Sequence, residues 1–249
     1  MTTSAESWTL TVVPDAATVG RRAADVVAEV VDANPDGVLA VPTGQTPLGL
    51  FTDLAERVAR QELDLSRVSL VCLDEYVGLG PADSNSLTRW LRDALMTPAR
   101  IDPARVVTLP VTDDDLAAGA VRYEAELMKR GGLDLAVLGL GPNGHIAYNE
   151  PGSIATSRTR VVDLTGESLA RAAEDWTGSE AVPKQAMTIG VGTLLDARRL
   201  VLIVTGAAKA EMLRRAMRET PSAVVPASWL RMAGSRLIVI ADEAAATRL

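Results

Sequence analysis

Cysteine is nearly absent from this sequence. Cys72 is the only one, so no disulfide can form within the chain, and its place in the apolar run Val68–Leu73 reads as a buried core thiol rather than a nucleophile. Histidine is as scarce: with His145 alone, one cysteine and no HExxH pattern, no metal centre is expected. Aromatic residues make up 3% of the chain, too few for an extended base-stacking platform. No long Lys/Arg run offsets the net charge of -7, so nucleic acid is not an expected partner, although a local pocket on a negative protein can still attract a small anion. No apolar stretch approaches the ~20 residues that span a bilayer. The opening MTTSAESWTL has neither the basic nor the apolar part of a secretory leader, so no membrane association is expected and the chain reads as cytoplasmic.

What is present is ordinary globular material, 47% hydrophobic and 23% charged, spread over 249 residues. There is no internal repeat, low-complexity segment or obvious linker, which favours one domain over residues 1–249. Short apolar runs read as strands at Leu10–Val13, Gly37–Val41, Val68–Leu73, Leu133–Leu138, Thr159–Leu164, Met187–Val191, Leu200–Thr205 and Arg236–Ile240. Several are nearly continuous in Val, Leu and Ile, as strands buried on both faces tend to be. Helical patterns fall between them at Ala16–Ala33, Thr46–Arg60, Ser84–Met96, Asp113–Lys129 and Ala207–Arg218. This alternation predicts an α/β fold: a doubly wound, mostly parallel central sheet with helices on both faces, Rossmann-like in architecture.

In such a sheet ligands bind beyond the carboxyl ends of the strands, and four loops there carry chemistry. After Gly37–Val41 comes Pro42-Thr43-Gly44-Gln45-Thr46-Pro47, with Thr46 as a candidate N-cap and Pro47 at the first turn. The glycine lets backbone approach a ligand, and a helix N-terminus offers free N–H groups to an anion, although the same residues also make a plain capped turn. After Val68–Leu73 come Asp74 and Glu75, two adjacent carboxylates of which either can be a general base or a solvated strand end. After Leu133–Leu138 the segment Gly139–Ser153 holds the sole histidine and a literal GxGxxG from Gly139 to Gly144, with Asp163 19 residues further on. That dinucleotide pattern fails on helix length, because only five residues separate Gly144 from Glu150-Pro151-Gly152. The segment is instead a polar loop in which His145 and Glu150 are free to converge in acid–base work. After Leu200–Thr205, Lys209 falls in the first turn of a helix, where a cation opposes the helix dipole unless it meets a bound anion. Together the four loops fit proton-transfer chemistry on a small phosphorylated substrate.

These loops resemble the glucosamine-6-phosphate deaminase family. The resemblance lies in PTGQTPLGLF at Pro42–Phe51, LDEYVGL at Leu73–Leu79, LGLGPNGHIAYNEPGS at Leu138–Ser153, SRTR at Ser157–Arg160 and MTIGVGTLLDARRLVLIVTGAAKA at Met187–Ala210, in family order over most of the chain. It implies a cofactor-free conversion of glucosamine 6-phosphate and water to fructose 6-phosphate and ammonia, in an enzyme of amino-sugar metabolism. By the same resemblance His145 assists ring opening, oriented by Glu150 and Asn143, and Asp74 moves the C2 proton to C1. Thr43, Gly44, Gln45, Thr46, Gly144 and Lys209 are the expected substrate and phosphate contacts. The chain departs from the family at Asn143, where many members carry Asp, and in Leu164–Trp176, where Arg171 is the one arginine available. Ser153 and Arg160 match effector positions of regulated members, whereas Val162 does not. Three other functions stay open at this point. One is a deaminase or isomerase of galactosamine 6-phosphate. A 6-phosphogluconolactonase is disfavoured by Tyr76 and Asn149-Glu150-Pro151, and a sugar-phosphate-sensing domain is disfavoured by the lack of room for a helix-turn-helix before the first strand. The expected partner is a small amino-sugar phosphate, and a homo-oligomer is left open.

Overall fold

The computed structural model describes residues 8–178 and 181–249; the segment 1–7, which holds most of the opening stretch read above, and residues 179–180 lie outside the described residues. Along the chain run β1 (Thr9–Val13), α1 (Ala16–Ala33), β2 (Val38–Val41), α2 (Leu48–Ala59), β3 (Ser69–Cys72), β4 (Asp74–Tyr76), α3 (Leu87–Leu91), β5 (Val106–Val107), α4 (Leu116–Lys129) and β6 (Leu135–Gly139). They are followed by β7 (Arg160–Asp163), α5 (Gly166–Asp175), β8 (Gln185–Thr188), α6 (Val191–Leu195), β9 (Arg199–Val204), α7 (Ala210–Arg218), β10 (Leu237–Asp242) and α8 (Glu243–Ala246).

Seven strands form one sheet in the order β1-β10-β9-β6-β2-β3-β5, and every pairing in it is parallel. Alternate residues of each strand enter different cores, as the two-residue period of a strand requires. Val38, Ala136, Leu138, Leu200 and Leu202 face one core with Tyr123 and Leu127 of α4 and Leu213 and Met217 of α7. Leu39, Leu135, Val137, Val201 and Ile203 face the other with Val27 of α1, Phe51 and Leu54 of α2 and Leu91 of α3. Helices therefore cover both faces, the doubly wound arrangement expected from the alternation of runs. The longer helices start where the sequence supplies caps: Asp15 accepts the Thr18 N–H at 2.7 Å, and Asp115 accepts the Ala118 N–H at 2.9 Å. From β2 the chain winds outward to its neighbour β3, while from β6 it winds the opposite way to β9. The neighbours β2 and β6 thus form the switch point, whose loops diverge to leave a crevice at their carboxyl ends.

Two of the expected strands belong elsewhere. Thr159–Leu164 and Met187–Val191 appear as β7 and β8 in a separate three-stranded antiparallel sheet, β4-β8-β7. Connection length accounts for β4, the strand of that sheet with which β8 pairs. Parallel neighbours need a crossover of a dozen or more residues, yet only Leu73 separates β3 from β4. The chain therefore leaves the main sheet at Leu73, whose carbonyl accepts the Ile189 N–H at 2.8 Å. Thr46 is not the N-cap of α2: the chain turns through 45–47, α2 begins at Leu48, and no side chain caps it. The helix expected at Ser84 begins at Leu87, capped by Ser86, and its end loosens into a π-turn over Arg92–Met96. The reading from sequence missed β4, β5, α5, α6 and α8. Of these helices, α5 bears most on the site, because its apolar side, Leu169 and Ala172, packs with Trp176 on Tyr76, Leu164 and Ala186 of the side sheet.

Candidate active site

The loop after β6 is built to present one imidazole. The Gly141 N–H donates to the His145 carbonyl at 2.9 Å and the Gly144 N–H to the Gly141 carbonyl at 3.1 Å. Asn143 Oδ1 accepts the His145 N–H at 3.1 Å, closing the turn from the side-chain end. A Cβ on Gly141 would lie 2.3 Å from the imidazole, so the ring rests directly on the backbone there and any larger residue would evict it. Gly144 has φ +88, where a glycine is favoured, and a Cβ there would stand 2.8 Å from Val225 Cγ1. Its N–H and its carbonyl, which receives the Ala227 N–H at 2.9 Å, are both used within the protein. No helix follows Gly144, in keeping with the rejection of the dinucleotide pattern.

Glu150 ends this loop as a fully engaged carboxylate. Its Oε2 accepts from Asn143 Nδ2 at 2.9 Å and lies 3.5 Å from His145 Nδ1, which makes no closer polar contact. Its Oε1 accepts from Thr165 Oγ1 at 3.2 Å and from Ser168 Oγ. Burial by itself would raise this carboxyl; the His145, Ser168 and Asn143 contacts outweigh it and hold the group down at about 2. A permanent anion on the Nδ1 side favours the tautomer with the proton on Nδ1 and leaves Nε2 to exchange one with a ligand. The preceding Asn149 is fully buried and fixes the loop, donating to the Ile146 and Ile189 carbonyls at 3.0 and 2.8 Å and accepting from Arg160 at 3.0 Å.

Asp74 and Glu75 are adjacent but have opposite environments. Glu75 accepts the N–H groups of Tyr76, Leu87 and Thr88 at 3.0, 2.9 and 2.9 Å and the Ser86 hydroxyl at 2.6 Å. It is committed to the N-terminus of α3, where an anion is favoured. Asp74 is 7% exposed, and no described residue donates a hydrogen bond to its carboxylate. Burial first, and the neighbouring Glu75 charge second, push its carboxyl up to about 7. Asp74 lies opposite Thr188 of β8, and the Thr188 hydroxyl accepts the Tyr148 N–H at 3.1 Å, which ties the base candidate to the His145 loop. An aromatic wall closes this side. The Tyr148 hydroxyl donates to the Tyr76 oxygen at 2.8 Å, and Trp176 meets Tyr76 edge-on at 5.4 Å between ring centroids. Burial raises the Tyr76 hydroxyl to about 12 and also pushes the Tyr148 hydroxyl well above its ordinary value, so both stay protonated.

The Thr43–Thr46 segment and Lys209 leave the same edge of the sheet. Strands β2 and β9 flank β6, which sets the two loops about 10 Å apart at the usual strand spacing. Thr43, Gly44 and Thr46 are half-buried and Gln45 is exposed; Gly44 has φ +95 with open space where a side chain would be. Lys209 is half-buried, and its ammonium has no hydrogen bond or ion pair among the described residues. Burial lowers its pKa, Glu167 of α5 counters this, and Arg171 of α5 adds to it. No described hydrogen bond joins the Thr43–Thr46 segment, Lys209 and the His145 loop to one another. Among the described residues, no group of three or more His, Cys, Asp or Glu could hold a metal ion, and no helix is long and apolar enough to cross a membrane.

Residues 15–239 match the family described as glucosamine-6-phosphate isomerases/6-phosphogluconolactonase. The chain is 41% identical over 238 residues to the glucosamine-6-phosphate deaminase of Rhodopirellula baltica, covering 96% of this chain and 94% of that one. It is 40% identical over 235 residues to the deaminase of Cutibacterium acnes, covering 94% and 90%. The chain belongs to the glucosamine-6-phosphate deaminase family. Its fold matches a solved monomeric glucosamine-6-phosphate deaminase with a TM-score of 0.92 at 33% identity, over 97% of this chain and 100% of that one. A 6-phosphogluconolactonase from Trypanosoma cruzi shares the fold, with a TM-score of 0.78 at 22% identity over 99% of this chain and 98% of that one.

In this member of the deaminase family the sequence reading passed over Thr165, Ser168, Tyr148 and Thr188. A signal for the first two was there: Thr165 is an N-cap residue type, and Leu169, Ala172, Ala173 and Trp176 follow at helical spacing. For Tyr148 and Thr188 there was none, because their roles depend on the antiparallel pairing of β4 with β8.

Proposed function

We propose that this chain converts glucosamine 6-phosphate and water to fructose 6-phosphate and ammonia, with Asp74 as the proton carrier between C2 and C1. The observation that carries this reading is Asp74 itself: a buried carboxyl near 7, free of donors, on the strand that borders the His145 loop. Such a group accepts and returns a proton near neutral pH with little penalty in either direction. His145, with Nδ1 held toward Glu150, serves ring opening through Nε2, and Asn143 orients Glu150 by its amide. In the open-chain sugar Asp74 removes the C2 proton to give an enolamine and delivers a proton to C1. The resulting C2 imine takes up water and releases ammonia, so the overall change is redox-neutral.

The phosphate is assigned to the Thr43–Thr46 backbone and Lys209, with Arg171 of α5 a further cation whose charge Lys209 feels. A dianion there offsets the burial that lowers the Lys209 pKa and relieves the Lys209–Arg171 repulsion. The grip lies far from the reacting carbons and supplies positioning energy. The test is ammonia release from the purified protein with glucosamine 6-phosphate, run beside galactosamine 6-phosphate and 6-phosphogluconolactone. Release from the first alone supports the reading, while turnover of either of the others in its place refutes the choice of substrate.

A further inference from the structure

Helix α5 is a surface helix with a single fully buried side chain, and that side chain is polar. Ser168 is 5% exposed, and its hydroxyl donates to Glu150 Oε1. Thr165, the N-cap of the same helix, donates to the same oxygen at 3.2 Å while its hydroxyl also accepts the Ser168 N–H at 3.3 Å. A glutamate has three side-chain torsions, and from its own loop Asn143 holds only Oε2 of this one, at 2.9 Å. The two oxygens are divided: Oε2 faces Asn143 and His145, and among the described residues Oε1 is held only by α5 and its N-cap. The rest of α5 is attached through Leu169, Ala172 and Trp176 to the Tyr76 cluster of the side sheet.

We propose that Ser168, seconded by Thr165, is a positioning residue for the reaction, fixing Glu150 in the rotamer that faces His145 so that docking of α5 and assembly of the His145–Glu150 pair are one event. The inference rests on the reading above in which that pair acts on the substrate. Ser168 touches no reacting atom and acts through Glu150. A charge-assisted hydrogen bond of this kind is among the stronger ones, and its loss frees a carboxylate whose orientation the reaction uses.

The experiment is a double-mutant cycle of Ser168→Ala and Glu150→Gln on the full chain, with kcat and KM for glucosamine 6-phosphate measured separately. Ser168→Ala keeps the backbone N–H that Thr165 caps, so the start of α5 stays intact. Its kcat should fall about 10- to 100-fold with KM within about twofold, the range for losing a hydrogen bond to a charged group. The double variant should be no slower than Glu150→Gln alone, because Ser168 has nothing left to position. Unchanged kcat in Ser168→Ala, a raised KM with normal kcat, or losses that multiply in the double variant would each overturn the proposal. Wild-type turnover in Glu150→Gln is a different failure: it removes the His145–Glu150 reading beneath the proposal.

Discussion

Asp74→Asn should trade activity for stability, with a pH dependence that follows from burial. The wild-type carboxyl moves from its ordinary 3.8 to about 7, chiefly through burial and then through the Glu75 charge. Each pH unit of displacement corresponds to about 1.4 kcal/mol, so above neutral pH the folded protein carries an ionised group destabilised by about 4 kcal/mol. The sign follows from proton counting. Between 3.8 and about 7 the folded state holds the proton that the unfolded state has released, so this group's stabilising contribution is present below 3.8 and lost as pH rises through about 7. Asparagine has nearly the same shape and no charge, but its buried amide still lacks donors and acceptors, so only part of the penalty is recovered. We expect Asp74→Asn to be more stable than wild type at pH 8.5 by about 1–3 kcal/mol, and this advantage to vanish or reverse at pH 5. Urea unfolding of both proteins at the two pH values measures it. Ammonia release by the variant should drop about 10³-fold, while wild-type kcat/KM should rise with pH through an apparent pKa near 7. An equal stability difference at both pH values would refute the argument, because it would show that Asp74 is already ionised in the folded protein at pH 5.

Two further substitutions probe the other parts of the site. Lys209→Ala should raise KM for glucosamine 6-phosphate about 10- to 100-fold, the range for losing a charged hydrogen-bond donor, and leave the weak binding of unphosphorylated glucosamine unchanged; equal effects on both ligands would count against a phosphate role. Gly141→Ala puts a methyl 2.3 Å from the resting place of the imidazole and should cut kcat about 100-fold by displacing His145. Gly139→Ala, where nothing lies within 4 Å of the new methyl, is its control and should stay near wild type in the same assay.

Strands such as β2, β6 and β9 were legible because both of their faces are buried, which writes them as unbroken apolar runs. The same signal misled at β7 and β8: Val161, Val162 and Met187 make equally apolar runs, and nothing local says that their partners run antiparallel in another sheet. The position of α2 was blurred by Thr46 and Pro47, which look like a cap and first turn but form the turn before the helix. At the site, the grouping of Asn143, His145 and Glu150 was legible because they share one short loop. The preference for Asp74 over Glu75 was not, since it depends on Ser86, Leu87 and Thr88 taking up the Glu75 oxygens, and those residues lie beyond an intervening turn.

Two carboxylates of the site are shifted in opposite directions: burial raises Asp74, which has no donors to oppose it, whereas at Glu150 the donors and His145 outweigh burial. Both Asp74 and Glu150 are buried to the same degree, at 7% exposure. Glu150 receives hydrogen bonds from Asn143, Thr165 and Ser168 and faces His145, and it is held at about 2. Asp74 receives none from the described residues, and burial first and the neighbouring Glu75 charge second raise it to about 7. Separation of this kind divides the work of acid–base catalysis, because a group at about 2 is a fixed charge and one near 7 is a proton carrier. The fold produces the separation by bringing the two from different sheets. Glu150 comes from the loop after β6 of the main sheet and takes donors from α5, whereas Asp74 begins β4, where the chain has just left the main sheet and the nearby Tyr148 hydroxyl donates to the Tyr76 oxygen instead. Had the chain continued β3 as an ordinary strand–helix unit, Asp74 would stand at a helix N-terminus with free N–H donors, as Glu75 does now, and would be pinned as an anion. The three-residue strand β4 is therefore what leaves Asp74, the proposed proton carrier, without donors among the described residues.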